Sequence, residues 1–278
     1  MNKPTRFRNL FSALLLIVSA FSAAIAQSAK IATENEIKED IGSYVCKNDE
    51  RLEAVKKLFR KMGATDAEIK IEKIKMAENL IVVKKGKTDE TVIVGAHYDK
   101  TSDGCGVIDN WTGIVILANL FRTIKHFDTQ KTYVFAAFGK EELGLHGSDE
   151  MARAIPKEKR EQYCAMVNFD SFGFTYPQVM TNISDQKLTN LAKETSKELN
   201  IPFAEAGVEG ASSDSESFRR QKIPAISFHG LSNRWPEFLH SPKDKLENVN
   251  VKAVNVGYQL GLNYLAKIEA KGCADFRK

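Results

Sequence analysis

The sequence predicts a single α/β domain in three layers, with helices covering both faces of a mostly parallel mixed sheet. Short apolar runs rich in β-branched residues, such as residues 91–94, alternate with segments whose apolar residues recur at helical spacing. Strands that alternate with helices in this way are typical of parallel sheets covered on both faces. A chain of 278 residues, 43% of them hydrophobic, is long enough to bury one such core.

The elements follow in order along the chain. The first predicted helix occupies residues 49–63, with Asp49 as the expected N-cap and Gly63 at the expected end. Alternating apolar and polar residues at 69–76 predict an edge strand, as distinct from the buried strand at 91–94. Further predicted strands are 79–83, 133–138, 165–169 and 223–228, and further predicted helices are 113–127, 147–154, 185–199 and 251–270.

Residues 1–26 have the features of a secretory signal peptide. Lys3, Arg6 and Arg8 precede an apolar run over 10–25, and residues 24–26 have the small-x-small pattern of a cleavage site. An uncleaved anchor is the alternative. The favoured prediction is an exported protein, periplasmic or secreted, with no stable membrane association after the signal is removed. Removing the segment removes three of the basic residues that contribute to the formal net charge of +4. The charge that remains gives no support for nucleic-acid binding.

All four cysteines lie beyond the predicted signal peptide, where an exported protein could pair them. Cys164 begins a predicted strand, whereas Cys105 precedes Asp109 at the opposite edge of the sheet, so a bond between these two cysteines is disfavoured. The favoured pairing is Cys46 with Cys273, which would join the two ends of the mature chain. Cys105 as a zinc ligand is a lesser alternative.

Potential metal ligands follow three of the predicted buried strands. Successive candidates lie 28 to 44 positions apart in the chain. Because the carboxyl ends of parallel strands meet at one edge of a sheet, we expect their side chains to converge there. The candidates after strands are His97, Glu141 with Glu142, and Asp170, and the candidates from loops are Asp109 and His240.

Two imidazoles and three carboxylates form the predicted ligand set. Nitrogen and oxygen ligands of this kind suit zinc and are compatible with manganese or cobalt. Five ligands exceed the three protein ligands that a single catalytic zinc site commonly has. Two metal ions that share a bridging carboxylate account for the full set.

Five segments carry the candidate residues in a fixed order along the chain. They are HYD at 97–99, GVIDNWTG at 106–113, AAFGKEELGLHGS at 136–148, NFDSFG at 168–173 and LHSPKDKLEN at 239–248. Taken in this order, the segments resemble those of the co-catalytic two-zinc aminopeptidases, the family of the bacterial leucyl aminopeptidases and yeast aminopeptidase Y. The resemblance extends over about residues 80–265, and the paired glutamates followed by Gly-Leu-x-Gly-Ser are its most specific part.

The resemblance implies a zinc exopeptidase domain over residues 27–278 that holds two zinc ions. His97 and Asp170 would hold one ion, Glu142 and His240 would hold the other, and Asp109 would bridge the two. The implied activity is that of a metallo-exopeptidase that removes N-terminal residues from peptide substrates.

Two further residues receive catalytic roles from the resemblance. Glu141 would be the general base, which takes a proton from the bridging water and passes it to the leaving amine. Asp99 would accept a hydrogen bond from His97 and fix its tautomer. The sequence also departs from the family, because Ser213-Asp214-Ser215 stands where members often have Ser-Asp-His near the substrate pocket, which leaves the specificity open.

Other functions remain as alternatives. A glutaminyl cyclase is a single-zinc acyltransferase of related fold, but those enzymes often carry Trp before the last His, where this chain has Leu239. A non-catalytic binding ectodomain is disfavoured because the ligands and the base are all present. The metal centre alone does not distinguish an aminopeptidase from a carboxypeptidase.

Overall fold

A computed structural model describes residues 30–208, 210 and 212–277, so the predicted signal peptide at 1–26 lies outside the described residues. Within them, eight strands form one sheet. The strands are β1 (Ile69–Ile74), β2 (Ala77–Lys84), β3 (Thr91–His97), β4 (Thr132–Phe138), β5 (Tyr163–Phe169), β6 (Gln178–Val179), β7 (Ala204–Glu205) and β8 (Ala225–His229). The α-helices are α1 (Glu34–Ile41), α2 (Asn48–Lys61), α3 (Thr112–Ile124), α4 (His146–Ala154), α5 (Gln186–Glu198), α6 (Asp214–Arg220) and α7 (Val251–Glu269).

The strand order in the sheet is β1-β2-β4-β3-β5-β8-β6-β7. The central strands β4, β3, β5 and β8 run parallel to one another. Strand β2 is antiparallel to β4, β1 is antiparallel to β2, and β6 is antiparallel to β8. The prediction of a mostly parallel mixed sheet is therefore confirmed, and β1 is the edge strand that its alternating pattern predicted.

Alternate side chains of β3 enter different cores. Val92 and Val94 belong to the larger core, which contains side chains of α3 and α7. Ile93 belongs to a second core on the other face, with Ala152 of α4 and Phe218 of α6. Each fully buried aliphatic side chain of this kind contributes roughly 1.5–3 kcal/mol of transfer free energy. Helices therefore cover both faces, and the predicted three-layer arrangement is confirmed.

Parallel pairing aligns the carboxyl ends of the central strands at one edge. His97, the last residue of β3, is paired with Phe138, the last residue of β4. On the other side of β3, Phe169 at the end of β5 is paired with Phe228 of β8. Residues that directly follow these strands must therefore leave the sheet at the same edge.

Some boundaries differ from the prediction. Helix α2 begins at Asn48, and Lys47 is its N-cap, so Asp49 lies in the first turn rather than at the cap. Helix α1 is not predicted, although Thr33 and Glu36 form a capping box at its start. Helix α6 is also missed because seven residues are too few to show a periodic pattern. Among the helices of the described residues, none combines the length and apolarity needed to span a bilayer.

The predicted disulfide between Cys46 and Cys273 is wrong. Cys46 is bonded to Cys105, and Cys164 is bonded to Cys273. The segment before α2 lies against the loop that precedes Asp109, whereas the C-terminal turn lies against the start of β5, so Cys46 and Cys273 are at opposite edges of the sheet. Because Cys105 is in a disulfide, its thiolate is not a candidate zinc ligand. As predicted, Cys105 and Cys164 are not bonded to each other.

Candidate active site

Asp109 lies between two imidazole rings, with one carboxylate oxygen facing each of them. Its Oδ1 is 3.1 Å from Nε2 of His97, and its Oδ2 is 3.1 Å from Nε2 of His240. His97 Nε2 is also 3.5 Å from Oδ1 of Asp170, and His240 Nε2 is 3.2 Å from Oε2 of Glu142. The five predicted ligands therefore converge, and they form two groups that share Asp109.

The loop after β3 fixes the position of Asp109. Residues Val107–Trp111 form a kinked turn, in which the backbone of Asp109 and Asn110 is not helical. The main-chain N–H groups of Ile108 and Asp109 donate to the carboxylate of Asp244, at 2.7 and 3.2 Å. The side chain of Asn110 donates to the carbonyl oxygen of Phe169 at 3.0 Å. These contacts join the Asp109 turn to the end of β5 and to the loop that carries His240.

Asp99 does not make the side-chain hydrogen bond to His97 that the resemblance implied. Nδ1–H of His97 instead donates to the main-chain oxygen of Asp99 at 3.2 Å, while the nearer carboxylate oxygen is 3.8 Å away. The Asp99 carboxylate accepts hydrogen bonds from the N–H groups of Glu141 and Glu142, at 3.0 and 3.3 Å. Asp99 therefore fixes the tautomer of His97 through its main chain, and it fixes the paired glutamates through its side chain.

Asp170 directly follows β5 and is held by two serines. Ser213 Oγ donates to Oδ2 of Asp170 at 2.5 Å, and Ser171 Oγ donates to Oδ1 at 3.0 Å. Asn168 donates in turn to Ser213 Oγ at 2.7 Å. Residues 213–215 are completely buried, and through Ser213 this segment holds the carboxylate of Asp170. The sequence analysis missed this role, although it singled out the same segment.

The site has a surplus of negative charge. Burial raises the pKa of Glu141 well above its usual range, and the carboxylates of Asp170 and Asp109 raise it further against the opposing effect of His97. Hydrogen bonds to Asp109 and Glu142 raise the pKa of His240 to about 10. Both shifts reflect carboxylates gathered close together, where a cation would be strongly stabilised.

The residues present fit a divalent metal ion. Nitrogen and oxygen atoms of His97, Glu141 and Asp170 lie within 4.8 Å of one another, as do those of His97, Asp109 and Glu142. Oε1 of Glu142 is buried without a hydrogen-bond partner in the part of the chain that the structure describes. An orphaned carboxylate oxygen beside imidazole nitrogens is suited to zinc ligation.

A cleft of about 300 Å³ opens onto these residues. One of its walls is apolar and belongs to a small separate core. The apolar residues that line it are Met180, Val208, Leu231, Trp235 and Leu239. The sequence analysis did not predict this wall, because its residues come from three segments that are far apart in the chain.

A family model described as Peptidase family M28 matches residues 79–264. A probable leucine aminopeptidase from Arthroderma otae is 31% identical over 224 residues, which are 72% of this chain and 59% of that protein. Aminopeptidase YwaD from Bacillus subtilis is 27% identical over 186 residues, which are 63% of this chain and 41% of that protein. The chain therefore spans about half the length of these curated relatives.

Solved structures resemble the chain in fold. The LapA aminopeptidase of Legionella pneumophila has a TM-score of 0.74 at 19% identity, covering 90% of this chain and 75% of LapA. A glutaminyl cyclase from an Acidobacteriales bacterium has a TM-score of 0.72 at 15% identity, covering 98% of both chains. At these identities the likeness concerns the fold alone, which agrees with the predicted zinc-exopeptidase-like domain.

Proposed function

This chain belongs to peptidase family M28, and from that membership we propose that it is a zinc-dependent aminopeptidase, which removes N-terminal residues from peptides. The observation that carries the proposal is the position of Asp109, whose two carboxylate oxygens each lie 3.1 Å from an imidazole nitrogen. A carboxylate in that position can bridge two cations. The names of the curated relatives, which include leucine aminopeptidases, give the reaction class.

We assign the metal ligands by the two groups that share Asp109. His97 and Asp170 would hold one zinc ion, and Glu142 and His240 would hold the other. Zinc at these positions would lower the pKa of a water molecule and polarise the peptide carbonyl. The main-chain contact from Asp99 to His97 Nδ1 leaves Nε2 as the free ring nitrogen that faces the metal position.

The position of Glu141 suits a residue that transfers protons during the reaction. It lines the cleft together with His97 and Asp170, and its main chain is fixed by the Asp99 carboxylate. We propose that its carboxylate accepts a proton from a water molecule in the cleft and donates it to the amine nitrogen of the breaking peptide bond. The same residue thus serves both proton transfers.

The apolar wall of the cleft indicates which peptides would bind. Met180, Val208 and Leu231 offer no charged group to a substrate side chain, and the cleft is large enough for one residue. We therefore expect a preference for aliphatic or aromatic N-terminal residues over charged ones. Each methylene group buried against such a wall contributes roughly 0.8 kcal/mol to binding.

A panel of aminoacyl-anilides tests the proposed activity and its preference together. We expect the purified protein to hydrolyse leucyl-anilide faster than the lysyl and glutamyl compounds, and a chelator to abolish the activity. A peptide that begins with Gln separates the alternative, because a glutaminyl cyclase would release ammonia and form pyroglutamate from it. Cyclisation without anilide hydrolysis would overturn the aminopeptidase assignment.

Export is a further part of the proposal. It is supported by the three basic residues and the apolar run within residues 1–26. We expect the mature chain to begin at Gln27. Intact-mass measurement of protein recovered from the periplasm or medium of the producing cells checks this cleavage, and a full-length mass there would contradict it.

A further inference from the structure

Arg51, on helix α2, is completely buried beneath the candidate metal centre. Within the described residues, all of its hydrogen bonds go to main-chain carbonyl oxygens. Its Nε donates to Tyr98, its Nη1 donates to Val45 and Cys105 at 3.0 Å each, and its Nη2 donates to Gly106 at 3.0 Å. One guanidinium group therefore connects three separate segments of the backbone.

Two of these contacts lie next to proposed metal ligands. Tyr98 directly follows His97, and Gly106 comes three residues before Asp109. Arg51 thus connects the two ends of the loop that separates His97 from Asp109. Because the loop has no regular secondary structure before Val107, external contacts must set the 3.1 Å spacing between the two side chains.

Other residues around the start of α2 hold the same loop. The side-chain amide of Asn48 donates to the carbonyl oxygen of Lys100 at 2.7 Å, and the amide oxygen of Asn48 accepts from the Lys100 N–H at 3.1 Å. The disulfide between Cys46 and Cys105 is a third connection. Residues 46–51 lie outside the segment that the family model matches, so these contacts are additional to the family motifs.

The charge of Arg51 and its hydrogen bonds have opposite effects on metal binding. Burial lowers the pKa of Arg51 to about 10, while the carboxylates of Asp99, Asp244 and Asp109 oppose that shift, so the side chain stays protonated at neutral pH. A positive charge beneath the site repels a metal cation. The contacts, in contrast, favour metal binding by holding His97 and Asp109 in place. The two effects can therefore be separated by substitution.

We propose that Arg51 is a positioning residue, which holds the loop between His97 and Asp109 in the conformation that binds the metal ions. This inference rests on the proposed function. It extends the metal centre to helix α2, which contributes no residue to the lining of the cleft. Groups that orient metal ligands in this indirect way commonly change metal affinity by about 10- to 100-fold when they are removed.

Titration of the metal-free protein with Co²⁺, followed by the visible absorption of the bound ion, tests the proposal. Arg51→Lys keeps the charge and loses the forked contacts, and Arg51→Met loses both. We expect each variant to bind Co²⁺ about 10- to 100-fold more weakly, with a weaker absorption band. Arg60→Met is the matched control, since it removes an arginine from the exposed face of the same helix, and it should bind Co²⁺ like the native protein.

The outcomes distinguish the inference from the proposed function. Native affinity in Arg51→Lys, or tighter binding in Arg51→Met, would show that positioning is not the role of Arg51. If the Arg51 variants do not fold, Asn48→Ala decides, because Asn48 is exposed and holds the same loop; we expect weaker binding, and unchanged binding would overturn the proposal. If His97→Ala titrates like the native protein, the proposed metal site itself is wrong.

Discussion

Glu141→Gln is expected to stop most of the turnover while leaving the metal ions in place. Glutamine has the same shape as glutamate, but its amide cannot accept a proton, so both proposed transfers are lost. General acid–base catalysis contributes about 10²- to 10⁴-fold to a rate, which corresponds to roughly 3–5 kcal/mol in the activation barrier. The main-chain hydrogen bond from residue 141 to Asp99 does not depend on the side chain, so the turn should keep its position.

The measurements for this variant are kcat on leucyl-anilide and the zinc content after dialysis. Glu158→Gln, in the polar turn Lys157–Gln162, is a control at an exposed glutamate and should match the native protein in both. Near-native kcat would remove Glu141 as the base. Loss of zinc from the variant would instead show that Glu141 is a metal ligand. Its position beside His97 and Asp170 also permits that role.

Asp109→Ala is expected to remove both metal ions, and with them the activity. One of its oxygens lies 3.1 Å from His97 and the other 3.1 Å from His240, so each proposed ion would lose a ligand at once. Substitution of a residue that only hydrogen-bonds to a metal ligand can lower metal affinity by roughly 100-fold. Removal of the ligand itself should lower the affinity by more than that. The turn itself should remain, because Asp244 holds it through main-chain N–H groups.

Zinc content and chelator sensitivity measure the loss of metal ions from the variant. A thermal unfolding curve in the presence of chelator shows whether the variant is still folded. Asp103→Ala is the matched control, because Asp103 is an exposed aspartate of the same loop. It should keep the metal content and the activity of the native protein. An Asp109→Ala variant that still holds two zinc ions would contradict the assignment of the bridging ligand.

The convergence of the site could be predicted from the sequence because it follows from strand direction. His97 and Asp170 lie at the ends of apolar runs, and parallel pairing brings such ends to one edge without any knowledge of loop geometry. Asp109 and His240 come from loops, and only the family resemblance identified their partners. The two imidazoles meet on one carboxylate, which neither spacing nor composition could predict.

The supporting contacts could not be predicted, because they depend on local backbone geometry. Asp99 accepts hydrogen bonds from the N–H groups of the paired glutamates at the turn after β4, in which Lys140 has a φ of 61°. The sequence pattern of α2 places Arg51 among charged residues of a helix and gives no sign that it is buried. The disulfide of Cys46 likewise depends on where the N-terminal segment crosses the loop, which no periodicity encodes.

The central claim is that five side chains hold a pair of metal ions with Asp109 between them. Diffraction from crystals of the protein, recorded at the zinc absorption edge, tests it most directly by locating the ions themselves. We predict two anomalous peaks, one beside His97 and Asp170 and the other beside Glu142 and His240. A single peak, or peaks that do not flank Asp109, would contradict the claim.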